Sequence, residues 1–238
     1  MRFLCLHGRG TCAKILEMQT ARLRQELDDH EFVFIDGTVP TEPSEGSSLV
    51  AEQTYGFLPT TLTPSSARSV LTDAIEYIQA AGPFDALLGF SEGGILAATL
   101  LAEDAYHPFA HFKCGVFLSS ATPLDPDVLH TDGDIIRDGE RLQLRALDPA
   151  VDGVVIRVPT AHVLEEDLNR LRGLSPMAPL WDREGTKDPQ EGLVEICDAK
   201  VVETVRHALG HTVPGAKGEV ELGQVVRAIE RTVERALE

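Results

Sequence analysis

The stretch "ALLGFSEGGILAATLLAED", residues 86–104, constrains the fold more than any other part of the chain. An apolar run of strand length stops at a serine set between glycines, and an apolar helical pattern begins directly behind it. Gly89-Phe90-Ser91-Glu92-Gly93 fits G-x-S-x-G, the pattern of a sharp strand-to-helix turn that presents a serine hydroxyl at the edge of a sheet. Glycines two before and two after the serine are required because a Cβ at either place would collide with the adjoining strand or helix. The turn lifts the Ser91 hydroxyl to where the N–H of Glu92 and the helix N-terminus can face developing negative charge. A serine capping a helix in a glycine-rich turn is the competing reading. The strand before it and the apolar helix after it favour a nucleophile.

The rest of the chain repeats strand and helix. "RFLCLH", "EFVFID", "ALLGF", "CGVFLSS", "VPTAHVL" and "VVETVR" read as buried strands of a parallel sheet. Ile15, Leu16, Leu23 and Leu27 within residues 13–28 lie at helical spacing, as do Leu222, Val225, Val226, Ile229, Val233 and Leu237. The alternation predicts an α/β domain over residues 1–238, with a mainly parallel central sheet of about six strands and helices on both faces. Residues 37–66, rich in Thr, Pro, Ser and Gly, and residues 122–157, rich in Asp and Gly, are too long for tight connections. Both are expected to shape a binding pocket.

Composition excludes several partners. The net charge of −17 argues against nucleic acid and against anionic membrane surfaces. The N-terminus "MRFLCLHGRG" has too few apolar residues for a signal peptide, and no apolar run reaches membrane-spanning length. A cytoplasmic location is therefore expected. Cys5, Cys12, Cys114 and Cys197 lack CxxC spacing, which predicts reduced, mostly buried thiols.

A serine needs a base, and the base needs an orienting acid. Two histidines lie far enough downstream, in "VRHALGHTVPG": His207 directly behind a strand, and His211 behind Gly210 in the loop that follows the last predicted strand. The base is required in that loop, which favours His211.

Taken together and in order, "CLHGRGTCAKILEMQTARLRQEL", "FVFIDGTVP", "GFSEGG", "VPTAHV" and "GHTVP" resemble the fungal FSH family of serine hydrolases, over nearly the whole chain. The resemblance implies the α/β-hydrolase fold, Ser91 as nucleophile and His211 as base. It also implies an oxyanion hole from the backbone N–H groups of Arg9 and Glu92, and an activity among esterases and the thioesterases that release products from fungal polyketide synthases. Three features depart from the family pattern. Glu92 stands where similar sequences often have Gln, although only its N–H is needed for the oxyanion. "LEED" is one residue short after "PTAHV". An insert, "GLSPMAPLWDREGTKDPQ", falls around residues 173–192.

The acid is read as Asp167, at the end of "HVLEED" just past a strand. Asp182 in the insert is the runner-up, and Glu165 and Glu166 are further candidates whose expected place is in solvent. His107 and His111 are four apart, but Pro108 breaks the helix and no H-E-x-x-H is present, so no zinc or other cofactor is expected. The reaction predicted is acyl transfer to water from a small-molecule ester or thioester, in secondary metabolism, with an acyl carrier protein of a polyketide synthase as a further partner. Arg22, Arg24, Arg170 and Arg172 are the basic residues from which a carrier-docking patch could be built. A hydrolase fold kept as a binding or scaffold protein in a biosynthetic complex is the alternative.

Overall fold

The structure is a computed structural model and describes residues 1–130, 136–137, 140–141, 144–166, 175–181, 188–215 and 218–238. In chain order the strands are β1 (Arg2–Leu6), β2 (Glu31–Ile35), β3 (Val39–Thr41), β4 (Thr54–Gly56), β5 (Ala86–Phe90), β6 (Cys114–Leu118), β7 (Ile136–Arg137), β8 (Glu140–Arg141), β9 (Thr160–Glu165) and β10 (Val202–His207). The helices are α1 (Ala13–Gln19), α2 (Ala21–Glu26), α3 (Pro64–Ala81), α4 (Glu92–Tyr106), α5 (Pro126–His130), α6 (Pro149–Asp152), α7 (Ala178–Trp181), α8 (Pro189–Glu195) and α9 (Glu219–Leu237).

The six runs read as buried strands form one six-stranded sheet in the order β10-β9-β6-β5-β1-β2, every neighbouring pair parallel. Alternation along each strand sends side chains to two cores. Leu4, Leu6, Leu87 and Phe117 face the core filled by α3 and α4. Phe3, Cys5, Leu88 and Val116 face the core filled by α1, α2 and α9. Helix α4 is buried from Glu92 through Glu103, which explains why its sequence is apolar almost all round instead of amphipathic. The single helical pattern of residues 13–28 is instead two helices. At Thr20 the backbone departs from helical geometry (φ −92°, ψ 3°), and the Thr20 hydroxyl bonds back to the Leu16 carbonyl at 2.8 Å, a local competitor to the next helical turn.

All six strands run the same way, so the loops after β1, β5, β9 and β10 meet at one edge. Ligands of open parallel sheets bind at that carboxyl edge. The 37–66 segment holds the antiparallel pair β3–β4 and lies against the loop after β1: Gly10 N donates to Tyr55 O at 2.9 Å, and Ser44 N donates to Gly10 O at 2.8 Å. The four cysteines are free and buried. Among the described residues no helix is long and apolar enough to cross a membrane.

Candidate active site

Ser91 follows β5 with φ 54° and ψ −120°, a strained backbone for a residue with a side chain. The neighbouring strands and α4 hold it there. Ser91 N donates to Leu118 O at 2.9 Å, and Ile95 N closes the first helical turn onto Ser91 O at 3.1 Å. The glycines leave no alternative. A Cβ on Gly89 would lie 2.4 Å from Gly93 O, one on Gly93 would lie 2.2 Å from Leu6 O, and one on Gly94 would lie 2.5 Å from the Ser120 side chain. The serine side chain makes no cap bond to its own helix. That removes the capping explanation for the residue and leaves the hydroxyl free for another partner.

That partner is His211. Its Nε2 stands 2.9 Å from Ser91 Oγ, and its Nδ1 stands 2.8 Å from Glu165 Oε1. A carboxylate only accepts, so Nδ1 carries the ring proton and Nε2 is left to receive one from the serine. Gly210, at φ 77°, turns the chain so that His211 reaches back across the sheet edge, and the ring packs against Phe90 with centroids 5.0 Å apart. His207 does not take part: it is buried, its Nδ1 accepts from Leu209 N at 3.3 Å, and burial pushes its pKa down.

The carboxylate at Nδ1 therefore belongs to Glu165, which the sequence reading placed in solvent. Its side chain is fully buried. Asp167 and Asp182 lie outside the described residues. The physical reason for the difference is strand length. β9 continues through Glu165 and pairs that residue with His207 on β10, so Glu165 is the last residue of the strand and is held inside the sheet. The apolar pattern stops at Leu164, so no signal in the sequence placed Glu165 inside the sheet.

The loop "HGRG" after β1 is fixed by His7. Gly37 N donates to His7 Nε2 at 2.9 Å, so Nδ1 is the protonated nitrogen and donates to Gly8 O at 2.8 Å. Burial holds the His7 pKa below its usual value and keeps the ring neutral. Glu92 joins this loop to the nucleophile turn. Its Oε2 accepts from Arg9 Nη1 at 3.0 Å, and its Oε1 accepts from the backbone N–H groups of Phe57 at 2.6 Å and Leu58 at 3.2 Å. Arg9 also donates to Leu58 O at 2.7 Å and Thr60 Oγ1 at 2.9 Å. Burial raises the Glu92 pKa, against the pull of the Arg9 guanidinium and the two backbone donors. One carboxylate thus ties together the two residues expected to donate backbone N–H groups to an oxyanion and the segment that covers them. Sequence reasoning valued Glu92 for its N–H alone and missed the side chain.

Residues 1–167 match the serine hydrolase (FSH1) family. The chain belongs to that family. It is 33% identical over 247 residues to Esterase FPY3 of Fusarium mangiferae, covering 100% of this chain and 99% of that one. It is 25% identical over 266 residues to Esterase alnB of Emericella nidulans, covering 92% of each. Among solved structures, Arabidopsis thaliana SOBER1 superposes with a TM-score of 0.54 at 16% identity over 98% of this chain and 99% of that one. A carboxylesterase from Mesorhizobium loti does so with 0.51 at 15% identity, over 97% and 88%. At those identities the likeness is one of fold: this FSH1-family chain has the α/β-hydrolase architecture.

In this FSH1-family hydrolase, Ser91 and His211 open onto a cavity of about 120 Å³ whose walls include Gly8, Arg9, Ser44, Glu92 and Ser175. The 37–66 segment contributes Ser44, Glu45 and Ser47 to that wall, and the insert contributes Ser175. No described residue of 122–157 reaches it. The N–H groups of Arg9 and Glu92 have no backbone acceptor among the described residues, so both are available to a ligand.

Proposed function

We propose that this FSH1-family hydrolase cleaves a small-molecule ester or thioester of fungal secondary metabolism through an acyl-serine on Ser91. The observation that carries the reading is the unbroken line from Ser91 Oγ to His211 Nε2 at 2.9 Å and from His211 Nδ1 to Glu165 Oε1 at 2.8 Å. As Oγ attacks the carbonyl carbon, Nε2 takes its proton, and Glu165 holds the imidazolium that forms. The backbone N–H groups of Arg9 and Glu92 donate to the oxyanion. Collapse of the tetrahedral intermediate expels the alcohol or thiol, which leaves with the proton from His211. Water, deprotonated at Nε2, then attacks the acyl-serine and releases the acid. Side chains and water supply every proton and electron pair, so the reading needs no cofactor.

Charge favours a free ester over a carrier-bound chain. A net charge of −17 opposes the approach of an acidic carrier domain. Of the basic residues that could offset this, Arg22 is already paired with Glu219 at 3.0 Å, while Arg170 and Arg172 lie outside the described residues.

A fluorophosphonate probe tests the reading directly. The wild type labels stoichiometrically and hydrolyses short p-nitrophenyl esters, whereas Ser91→Ala does neither, with turnover reduced on the order of a millionfold. A wild type that neither labels nor hydrolyses any ester would leave the scaffold alternative standing.

A further inference from the structure

We propose that Glu103, His107 and His130 form a binding site for a divalent transition-metal ion, zinc foremost, at the end of α4 remote from Ser91. His107 is four residues after Glu103 and so lies on the same helical face. His130, the last residue of α5, comes to the same spot from the chain that follows β6. Glu103 Oε1 stands 2.6 Å from His130 Nε2 and 3.4 Å from His107 Nδ1, and one ligand atom from each residue lies within 4.8 Å of the others. Tetrahedral zinc with bonds of about 2.0–2.1 Å holds its ligand atoms roughly 3.3 Å apart. The cluster's ligand atoms, all within 4.8 Å of one another, already stand near that spacing.

Four observations favour an ion over a plain ion pair. Glu103 is buried, with 3% of its side chain exposed, and its Oε2 has no hydrogen-bond partner among the described residues. A carboxylate buried with one oxygen unsatisfied is costly unless a strong positive partner compensates it. Second, the two imidazoles converge on Glu103 Oε1, with ring centroids 4.4 Å apart. A single metal ion held between the two rings and the carboxylate would engage all three side chains at once. Third, the site is at the C-terminal end of a fifteen-residue helix, where the helix dipole favours a cation. Fourth, the loop that carries the chain away from His107 is pinned. Asp104 Oδ1 accepts from the N–H groups of Phe109, Ala110 and His111, and its Oδ2 accepts from that of Phe112. Two imidazoles with one carboxylate suit zinc, cobalt or nickel, and a single oxygen ligand does not suit calcium or magnesium. The two histidines are half exposed, at 47% each, so the ion has a path in and a coordination position left for water. His111, the partner considered from sequence spacing, is not part of the cluster.

Twelve residues of helix at about 1.5 Å rise place the site roughly 18 Å from Ser91, so its role is to clasp α5 onto α4 and not to take part in hydrolysis. The test titrates zinc chloride into untagged, chelator-treated full-length protein, with calorimetry and thermal melts as readouts. One equivalent is expected to bind saturably and to raise Tm by roughly 5 °C or more at a hundredfold excess over Kd. His130→Ala and His107→Ala, both at exposed positions, should weaken binding by at least about a hundredfold. His211→Ala should leave it unchanged, which separates this site from the imidazole at Ser91. Absence of saturable binding, survival of binding in His107→Ala/His130→Ala, or its loss in His211→Ala would each overturn the proposal.

Discussion

Replacing Glu165 with glutamine removes one charge from the line of contacts and almost nothing else. In the proposed mechanism His211 becomes an imidazolium in the transition state, and its Nδ1 lies 2.8 Å from Glu165 Oε1. Unit charges at that distance attract by about 6 kcal/mol at an effective dielectric near 20, or slightly more than four powers of ten in rate. Glutamine can still accept the Nδ1 proton through its carbonyl oxygen, so kcat is expected to fall roughly 10³–10⁴-fold. KM should move little, because Glu165 is not among the residues lining the cavity. Stability should move the other way. The Glu165 side chain is fully buried and its Oε2 has no partner among the described residues, so removing its charge relieves a desolvation cost and Tm is expected to hold or rise. The assay is hydrolysis of p-nitrophenyl acetate alongside thermal melts, with Asp167→Asn in parallel and expected to stay within threefold of wild type. A 10³-fold loss in Asp167→Asn with near-normal Glu165→Gln would refute the assignment. A Glu165→Gln variant that loses both turnover and several degrees of Tm would show that the carboxylate is structural.

Two further perturbations follow from the packing. Gly93→Ala puts a Cβ 2.2 Å from the Leu6 carbonyl oxygen and should cost about 3 kcal/mol, a Tm drop of roughly 6–12 °C. Gly223→Ala in α9, whose Cβ would meet only Arg227 at 3.4 Å, should gain about 0.5–1 kcal/mol in the same melts. His162 is wholly buried in β9 and burial lowers its pKa to about 3, from 6.5. The unfolded chain therefore takes up a proton that the folded chain refuses. Stability is complete above pH 6.5 and is lost as pH falls toward 3, by about 2 kcal/mol between pH 7 and 5. Urea midpoints at the two pH values measure this, and an equal drop in His162→Gln would assign it to other groups.

The fold was legible because six buried strands leave unmistakable apolar runs, and a parallel sheet has few ways to connect them. The turn at Ser91 was legible because its constraint is local: Gly89, Gly93 and Ser91 stand within five residues, and the clashes that require the glycines involve the turn's own strand and helix, with Leu6 beside them. Glu165 was not legible. Whether an acid at a strand end points into the sheet or into water depends on where pairing stops, and here β10 carries it one residue further than the apolar pattern suggests. The Glu92 side chain was hidden for a related reason, since its partners at Arg9, Phe57 and Leu58 are brought to it only by the completed fold. The two helices of residues 13–28 turned on one threonine hydroxyl, too small a signal against the spacing of four apolar residues.

The tie between Arg9 and Glu92 also bears on when the site comes into being. The contact closes a loop of 83 residues, the Ser91–His211 contact one of 120, and the Glu165–His211 contact one of 46. Closing such loops precedes the reward of the contacts they allow, so pairings this distant in sequence form late in folding. The turn at Ser91 can be shaped early by its own strand and helix, yet it stays an ordinary alcohol until β1, β9 and β10 have docked beside it. A chain emerging from the ribosome carries Ser91 for more than a hundred residues of synthesis before His211 exists at all. On the proposed reading, reaction of Ser91 with an acylating probe reports complete folding, and a nascent or partly folded chain leaves an activated ester intact.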